Sequence, residues 1–372
     1  MDFDFSDEQR QLQDHVRRFL SDKCESGVVR AVLESDAPFD RNLLKELGAL
    51  GVLGAAIPEA YGGSGQGPLE LCLVAEELGR AIAPVPVSSS IYLAAGFLMD
   101  AGSETQKSEW LPGLCSGEIA GTFAHSEAAG RVALKRLQSR VTGGKLSGTK
   151  TAVLDGLGAD LAVVSALDGD APALWLVDLR GNGVAVEALD CIDPTRKLAK
   201  ITFDQAVAEK LQGDAAGVIE RVMDRAAIYL GFEQLGGAET ALDAAREYAM
   251  ERMAFGRQIG SFQAIKHMLA DMYVSATLAR SNAYYGAWAV STGAAELPVA
   301  AATVRVSSTK AYQHCAKNNI QIHGGMGFTW EFDCHLHYRR SNGLALALGP
   351  LSQWEDRLIE QMRRSNANAN AA

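Results

Sequence analysis

The residues with the most chemical content lie in the last third of the chain. Arg252-Met253-Ala254-Phe255-Gly256-Arg257-Gln258-Ile259 is followed by Phe262-Gln263, and Gln321-Ile322-His323-Gly324-Gly325-Met326-Gly327-Phe328 comes later. The planar guanidinium of Arg252 can meet two phosphate oxygens at once, where a lysine presents only a point charge. The pair Gly324-Gly325 lets backbone come close to a ligand with its N–H groups free for oxygens; a plain tight turn between helices is the other reading. Phe255 and Gln263, taken alone, read as a core aromatic and a solvated amide. Acid–base chemistry points elsewhere. In Gly231-Phe232-Glu233-Gln234-Leu235-Gly236 one carboxylate stands in an apolar run, and burial would raise its affinity for a proton. Asp224 is a second candidate. For both, an exposed or hydrogen-bonded helix carboxylate is the alternative. Cys334, His335 and His337 form a Cys/His cluster, but ligands packed so tightly along the chain are hard to place around one ion, and no metal is expected there.

The elements that must carry these residues fall into three sections. Residues 1–118 read as an all-α domain. Ser6 and Gln9 make a capping-box start, with Leu12, Val16, Phe19 and Leu20 on one helical face. Leu43, Leu44, Leu47 and Leu50 form a second stripe, and Leu69 to Leu78 a third, with Pro84 and Pro86 preventing its renewal. Residues 119–212 change texture: Ala152-Val153-Leu154, Leu161 to Ser165 and Leu174 to Val177 read as strands, separated by Gly143-Gly144, Asp168-Gly169-Asp170 and Gly181-Asn182-Gly183. Strands with no helix between them predict an antiparallel β barrel or sandwich. Residues 213–365 predict long amphipathic helices with short links, a four-helix bundle of a kind that often pairs with another subunit. The tail 366–372, Asn366-Ala367-Asn368-Ala369-Asn370-Ala371-Ala372, has nothing to bury and is expected to be disordered. The fold class is α+β.

Composition narrows the partners. A chain of 372 residues can bury a substantial core, and its net charge of −10 leaves no basic surplus for nucleic acid. The six cysteines include no CxxC pair, so neither a disulfide framework nor zinc-ligand spacing is present. The acidic start MDFDFSDEQR is no secretory signal, and no apolar run is long enough to span a bilayer. A cytoplasmic protein, or one of an organelle matrix, with neither nucleic acid nor membrane as partner, is the expectation.

Taken with Pro58-Glu59 to Gly63, Trp110-Leu111-Pro112-Gly113-Leu114, Ser116-Gly117-Glu118 and Ser147-Gly148-x-Lys150, the two segments quoted first resemble the acyl-CoA dehydrogenase family nearly end to end and in order. The resemblance implies a helical domain, a β domain and a helical bundle, and FAD as cofactor. It implies that Arg252, Phe255 and Gln263, with Gln321, Gly324 and Gly325, hold the ADP half of FAD across a subunit interface. It implies an acyl-CoA substrate, α,β-dehydrogenation of its thioester, electron transfer flavoprotein as acceptor, and either a homotetramer or an α2β2 assembly with a related chain.

The chain departs from the family's pattern at the reacting end. Where the family shows a Thr-Glu-Pro-x-Ala-Gly-Ser-Asp loop, this chain has Ser126-Glu127-Ala128-Ala129-Gly130-Arg131: Ser126 can stand for the threonine as a hydroxyl donor to the flavin, but the Pro and the Ser-Asp are missing. Ala152 and Leu154 stand where the family has a Trp against the flavin and a Thr near its N5. The usual base, a Glu before a Gly, falls at Leu348 before Gly349; the other position used in the family falls at Ala226, with Ala227 where an Arg is usual. Two readings follow: a dehydrogenase with its base relocated to Glu233, or a non-catalytic, FAD-supporting subunit whose related partner supplies the Glu. A same-fold flavin oxidase acting on a nitroalkane or an amine is the third.

Overall fold

The computed structural model describes residues 5–369. Six helices come first: α1 (Asp7–Lys23), α2 (Ser26–Leu33), α3 (Arg41–Ala49), α4 (Pro68–Arg80), α5 (Gly96–Ala101) and α6 (Glu104–Ser116). Strands β1 (Gly121–Ala124), β2 (Arg140–Thr142), β3 (Lys145–Leu154), β4 (Leu161–Asp168), β5 (Ala171–Asp178), β6 (Val184–Leu189), β7 (Leu198–Val207) and β8 (Glu209–Lys210) follow. Then come α7 (Ala215–Glu251), a small hairpin of β9 (Met253–Ala254) and β10 (Arg257–Gln258), α8 (Gln263–Thr292), α9 (Leu297–His323), α10 (Cys334–Leu346) and α11 (Leu351–Ala369). The expected α+β order of helices, sheet and helices is what is found. The chain groups into two compact units: one holds the residues up to Val28, Cys72–Ala83 and those from Ala227 on; the other holds Val29–Leu71 and Pro84–Ala226.

In the first unit α1 begins at the expected capping box. Ser6 Oγ accepts from Gln9 N at 3.2 Å, and Ser6 N donates to Gln9 Oε1 at 2.9 Å, so two backbone donors at the helix start are satisfied. Val16 and Leu20 from the predicted stripe are buried. Helices α8, α10 and α11 all pack on α9. Helix α7 approaches α9 closely because it is small at the crossing: a Cβ on Gly231 would lie 2.2 Å from Val304, and one on Gly237 2.4 Å from the Tyr312 ring. The end of α4 meets α7 the same way, with a Cβ on Gly79 falling 1.7 Å from the Glu233 carbonyl oxygen. Helix α11 runs to Ala369, four residues into the tail expected to be disordered, since alanine has the highest helix propensity and extends it. Residues 370–372 lie outside the described residues.

In the second unit the strands form one sheet in the order β6-β7-β3-β2-β4-β5-β8, with β1 also paired to β4. Its core includes Leu146, Val153, Ile201, Phe203 and Trp175. The expectation of an antiparallel sheet needs correction here, because the sheet is mixed. Strands β1 and β2 both run parallel to β4 along one of its edges, Gly121–Ala124 opposite Leu161–Val164 and Arg140–Val141 opposite Leu167–Asp168. In effect they are one strand interrupted by the excursion 125–139. Period-two alternation reports which face a residue occupies but carries no strand direction, so this pairing is invisible in the pattern. Another arrangement without a sequence signal lies at the end of β3. Asp155, fully buried with φ of 57°, accepts from Arg196 Nη2 and from Ser89 Oγ, each at 2.6 Å.

Candidate active site

The excursion between β1 and β2 carries Ser126, and the sheet supplies its frame. Thr151 N of β3 donates to Ser126 O at 2.8 Å. Lys150, one residue earlier and fully buried, places Nζ 2.8 Å from Glu127 Oε1, 3.3 Å from His125 O and 3.5 Å from Ser165 Oγ. Glu127 also accepts from Gln138 N at 2.6 Å and Ser139 N at 2.9 Å, tying the start of the excursion to its end. His125 Nδ1 sits 2.8 Å from Ser165 Oγ, and its ring stacks on Phe123 with centroids 4.9 Å apart. Burial penalises the Glu127 carboxylate, but Lys150 and the two backbone donors outweigh it and hold the pKa at about 2. Burial, then the neighbouring Lys150 charge, takes His125 down to about 4. Burial also lowers Lys150, against the pull of Glu127. Lys150 figured in the sequence only as part of a motif; its partners were not foreseen, because Ser165 and Glu127 come from different strands and loops.

The two places where a base was sought are apolar. Leu348 is 4% exposed, in the turn after α10, and Ala226 is 1% exposed on α7. In the turn, Leu348 O accepts from Trp354 Nε1 at 2.9 Å. The carbonyls of Leu344 and Ala345 just before it accept from the fully buried Arg305 Nη2 at 2.8 and 2.9 Å, a guanidinium at the negative end of the helix dipole. Burial alone lowers the pKa of Arg305 to about 9. Asp224 and Glu233, the two substitute candidates, are both buried. Glu233 Oε1 is 3.8 Å from Nη1 of Arg340, itself completely buried and donating to the carbonyls of Ile82 and Ala83 at 3.2 Å each. The apolar run around Glu233 was a sound signal for burial, yet the arginine that shares its interior stands on another helix. Ala152 is exposed with φ of 51°, at an irregularity in the β3–β7 ladder, and Leu154 is half-buried with its carbonyl accepting from Thr122 Oγ1 at 2.7 Å.

A third group is open to solvent. Arg252, Gln263 and Gln321 are exposed, and Phe255 is 95% exposed at the tip of the β9–β10 hairpin with φ of 51°. Its ring meets Phe262 edge-on, and the Arg257 guanidinium lies 4.1 Å over that second ring. Gly324 has φ of 59°, a left-handed conformation that favours glycine, and a Cβ on either Gly324 or Gly325 would meet nothing within 4 Å. These glycines are not demanded by packing against their own chain, so space for an outside group stands before them. Phe328, Trp330, Met253, Tyr273, Val274 and Leu278 are also largely exposed. Of the Cys334, His335 and His337 cluster, Cys334 and His337 are buried, and His337 Nδ1 lies 3.1 Å from Tyr312 Oη.

Comparison with known proteins places the chain among relatives of one kind. The family models for the N-terminal and C-terminal domains of acyl-CoA dehydrogenase match residues 6–118 and 215–353. The acyl-CoA dehydrogenase IpdE2 of Mycobacterium tuberculosis is 32% identical over 92% of this chain and 93% of its own length. Among solved structures, a Tcur3481-Tcur3483 steroid ACAD variant superposes with a TM-score of 0.87 at 30% identity, covering 97% of this chain and 99% of that one. The ChsE4-ChsE5 complex from Mycobacterium tuberculosis superposes with a TM-score of 0.89 at 29% identity, covering 98% and 99%.

Proposed function

Given that the chain belongs to the acyl-CoA dehydrogenase family, whose members are FAD-dependent oxidoreductases acting on CH–CH bonds, we propose that it is the FAD-binding chain of a two-chain acyl-CoA dehydrogenase in which a related chain supplies the proton-abstracting carboxylate. The observation that carries this is at the base positions. Leu348 and Ala226 are buried and have no proton acceptor, and the buried Glu233 shares its interior with Arg340. The similarity to the Tcur3481-Tcur3483 steroid ACAD and to the ChsE4-ChsE5 complex supports the paired assembly and a bulky acyl group on the thioester.

The residues fit the cofactor. The Arg252 fork suits the pyrophosphate, the open backbone at Gly324 and Gly325 suits its oxygens, and Phe255, Gln263 and Gln321 suit the rest of the ADP half. Their exposure agrees with a nucleotide held against a neighbouring protomer. Ser126 is the hydroxyl donor toward the flavin end. Bound there, FAD would supply the hydride acceptor for the acyl β carbon, with electron transfer flavoprotein as the acceptor beyond it. The chain's own part is to bind and orient the cofactor and to shape the site from which water is excluded.

The test is to purify the chain alone and again after co-expression with a family member that has the Glu-Gly pair intact. Bound FAD and acyl-CoA oxidation with an artificial acceptor are then measured. Turnover only in the pair is expected; turnover by the lone chain at a comparable rate would refute the assignment. One observation favours a second reading, an active lone chain with Glu233 as base: Glu233 is an interior carboxylate on α7. Loss of lone-chain turnover in Glu233→Gln, with FAD retained, would establish it.

A further inference from the structure

Lys150 is fully buried, and its two shorter contacts serve one short stretch of chain. Its ammonium reaches the Glu127 carboxylate at 2.8 Å and the His125 carbonyl at 3.3 Å, while its neighbour Thr151 holds the Ser126 carbonyl at 2.8 Å. Residues 125 and 127 are thus fastened by Lys150 and residue 126 by Thr151, two consecutive residues of β3. Ser165, which steadies the His125 ring at 2.8 Å and lies 3.5 Å from Lys150 Nζ, occupies the gap on β4 between the pairings of β1 and β2. Glu127 then clips the far end of the excursion through Gln138 N and Ser139 N. Among the described residues, the Ser126 hydroxyl is the one polar side-chain group of this stretch that the network leaves unengaged.

A buried ion pair is rarely kept for stability, since a well-packed apolar pair often does as well; its attested use is to specify geometry. Here the geometry specified is that of three residues at the point where a strand breaks off. We propose that Lys150 is a positioning residue for the cofactor: through Glu127 and the His125 carbonyl it fixes the backbone of 125–127, so that the Ser126 hydroxyl is presented to the flavin end of FAD. This rests on the FAD assignment above. It also accounts for how the start of the excursion is held without the proline and the Ser-Asp of the family's loop, which this chain lacks. The depressed pKa of Glu127, about 2 under burial opposed by Lys150 and backbone donors, keeps the clip charged through the neutral range.

The experiment compares three full-length variants with wild type, each in the assembly that binds FAD: Ser126→Ala, Lys150→Met/Glu127→Gln, and the triple combination. Removing both charges together avoids leaving either one buried alone, so the protein folds. The readouts are the visible absorption fine structure of bound FAD, its reduction potential and its dissociation constant. The double variant is expected to weaken FAD binding by about tenfold, the loss typical of one charge-assisted hydrogen bond. It should shift spectrum and potential in the same sense as Ser126→Ala, and the triple variant should add little to either. A folded double variant with wild-type spectrum and potential would overturn the inference, as would shifts that simply add in the triple variant. A purely structural role moves the melting temperature but not the potential. Wild-type protein that takes up no FAD in any assembly would remove the FAD assignment, a result distinct from either of these.

Discussion

At the scale of single residues, the interior charges make the firmest predictions. Arg340→Met removes the buried cation 3.8 Å from Glu233 and should cost about 3–5 kcal/mol, while Arg340→Met with Glu233→Leu should cost much less; chemical denaturation of both variants checks this. His125 gives a pH dependence. Its pKa in the folded protein, about 4, lies below the ordinary 6.5, because burial and then the Lys150 charge disfavour its protonation. The folded state therefore binds fewer protons than the unfolded one. The associated stability is fully present above about pH 6.5 and is lost as the pH falls toward 4, by at most about 3 kcal/mol. His337, buried and also at about 4, contributes in the same window. His125→Gln should flatten part of the decline of melting temperature between pH 6.5 and 4, and an unchanged profile would refute the assignment. What the sequence showed at this scale was burial and residue type. The apolar run around Glu233 offered an interior acid beside the reading of an exposed helix carboxylate, and Arg340 was not legible as its companion, because only the fold sets them side by side. The same limit hid the grouping of Lys150, Glu127, His125 and Ser165.

At the scale of elements, helix starts and strand texture were the most legible features, since capping and periodicity are local. The Ser6–Gln9 box appears as read, and the long helices from residue 215 onward are where the apolar spacing put them. Strand direction was not legible, and the parallel edge of β4 carries the Ser126 excursion. Close helix approach is a further element-scale property that follows from single small residues. Gly237→Ala places a methyl carbon 2.4 Å from the Tyr312 ring, so α7 or α9 must shift, at about 1–3 kcal/mol by the usual cost of overpacking. Thermal unfolding measures it, and an unperturbed transition would show that the Tyr312 ring yields freely.

At the scale of the whole molecule, the family resemblance spanned nearly the full chain because it drew on motifs from each section. Composition and length fixed only that the chain is globular. Among the described residues no helix is long and apolar enough to cross a membrane. The β9–β10 hairpin, α8 and the segment after α9 carry large exposed apolar side chains, among them Phe255, Tyr273, Leu278 and Phe328. Phe255→Ser is expected to lower FAD content and shift the protein toward the monomer in sedimentation, with α-helical circular dichroism unchanged; full assembly and full FAD content would count against the proposed cradle. A copy that never finds its counterpart keeps the 95% exposed phenyl group of Phe255 in water. To a chaperone or a protease that surface resembles unfinished folding, and such proteins are continuously triaged. On the proposed pairing, surplus chains would be removed faster than assembled ones, so the cell could hold the stoichiometry of such a complex by degradation, without matching synthesis rates.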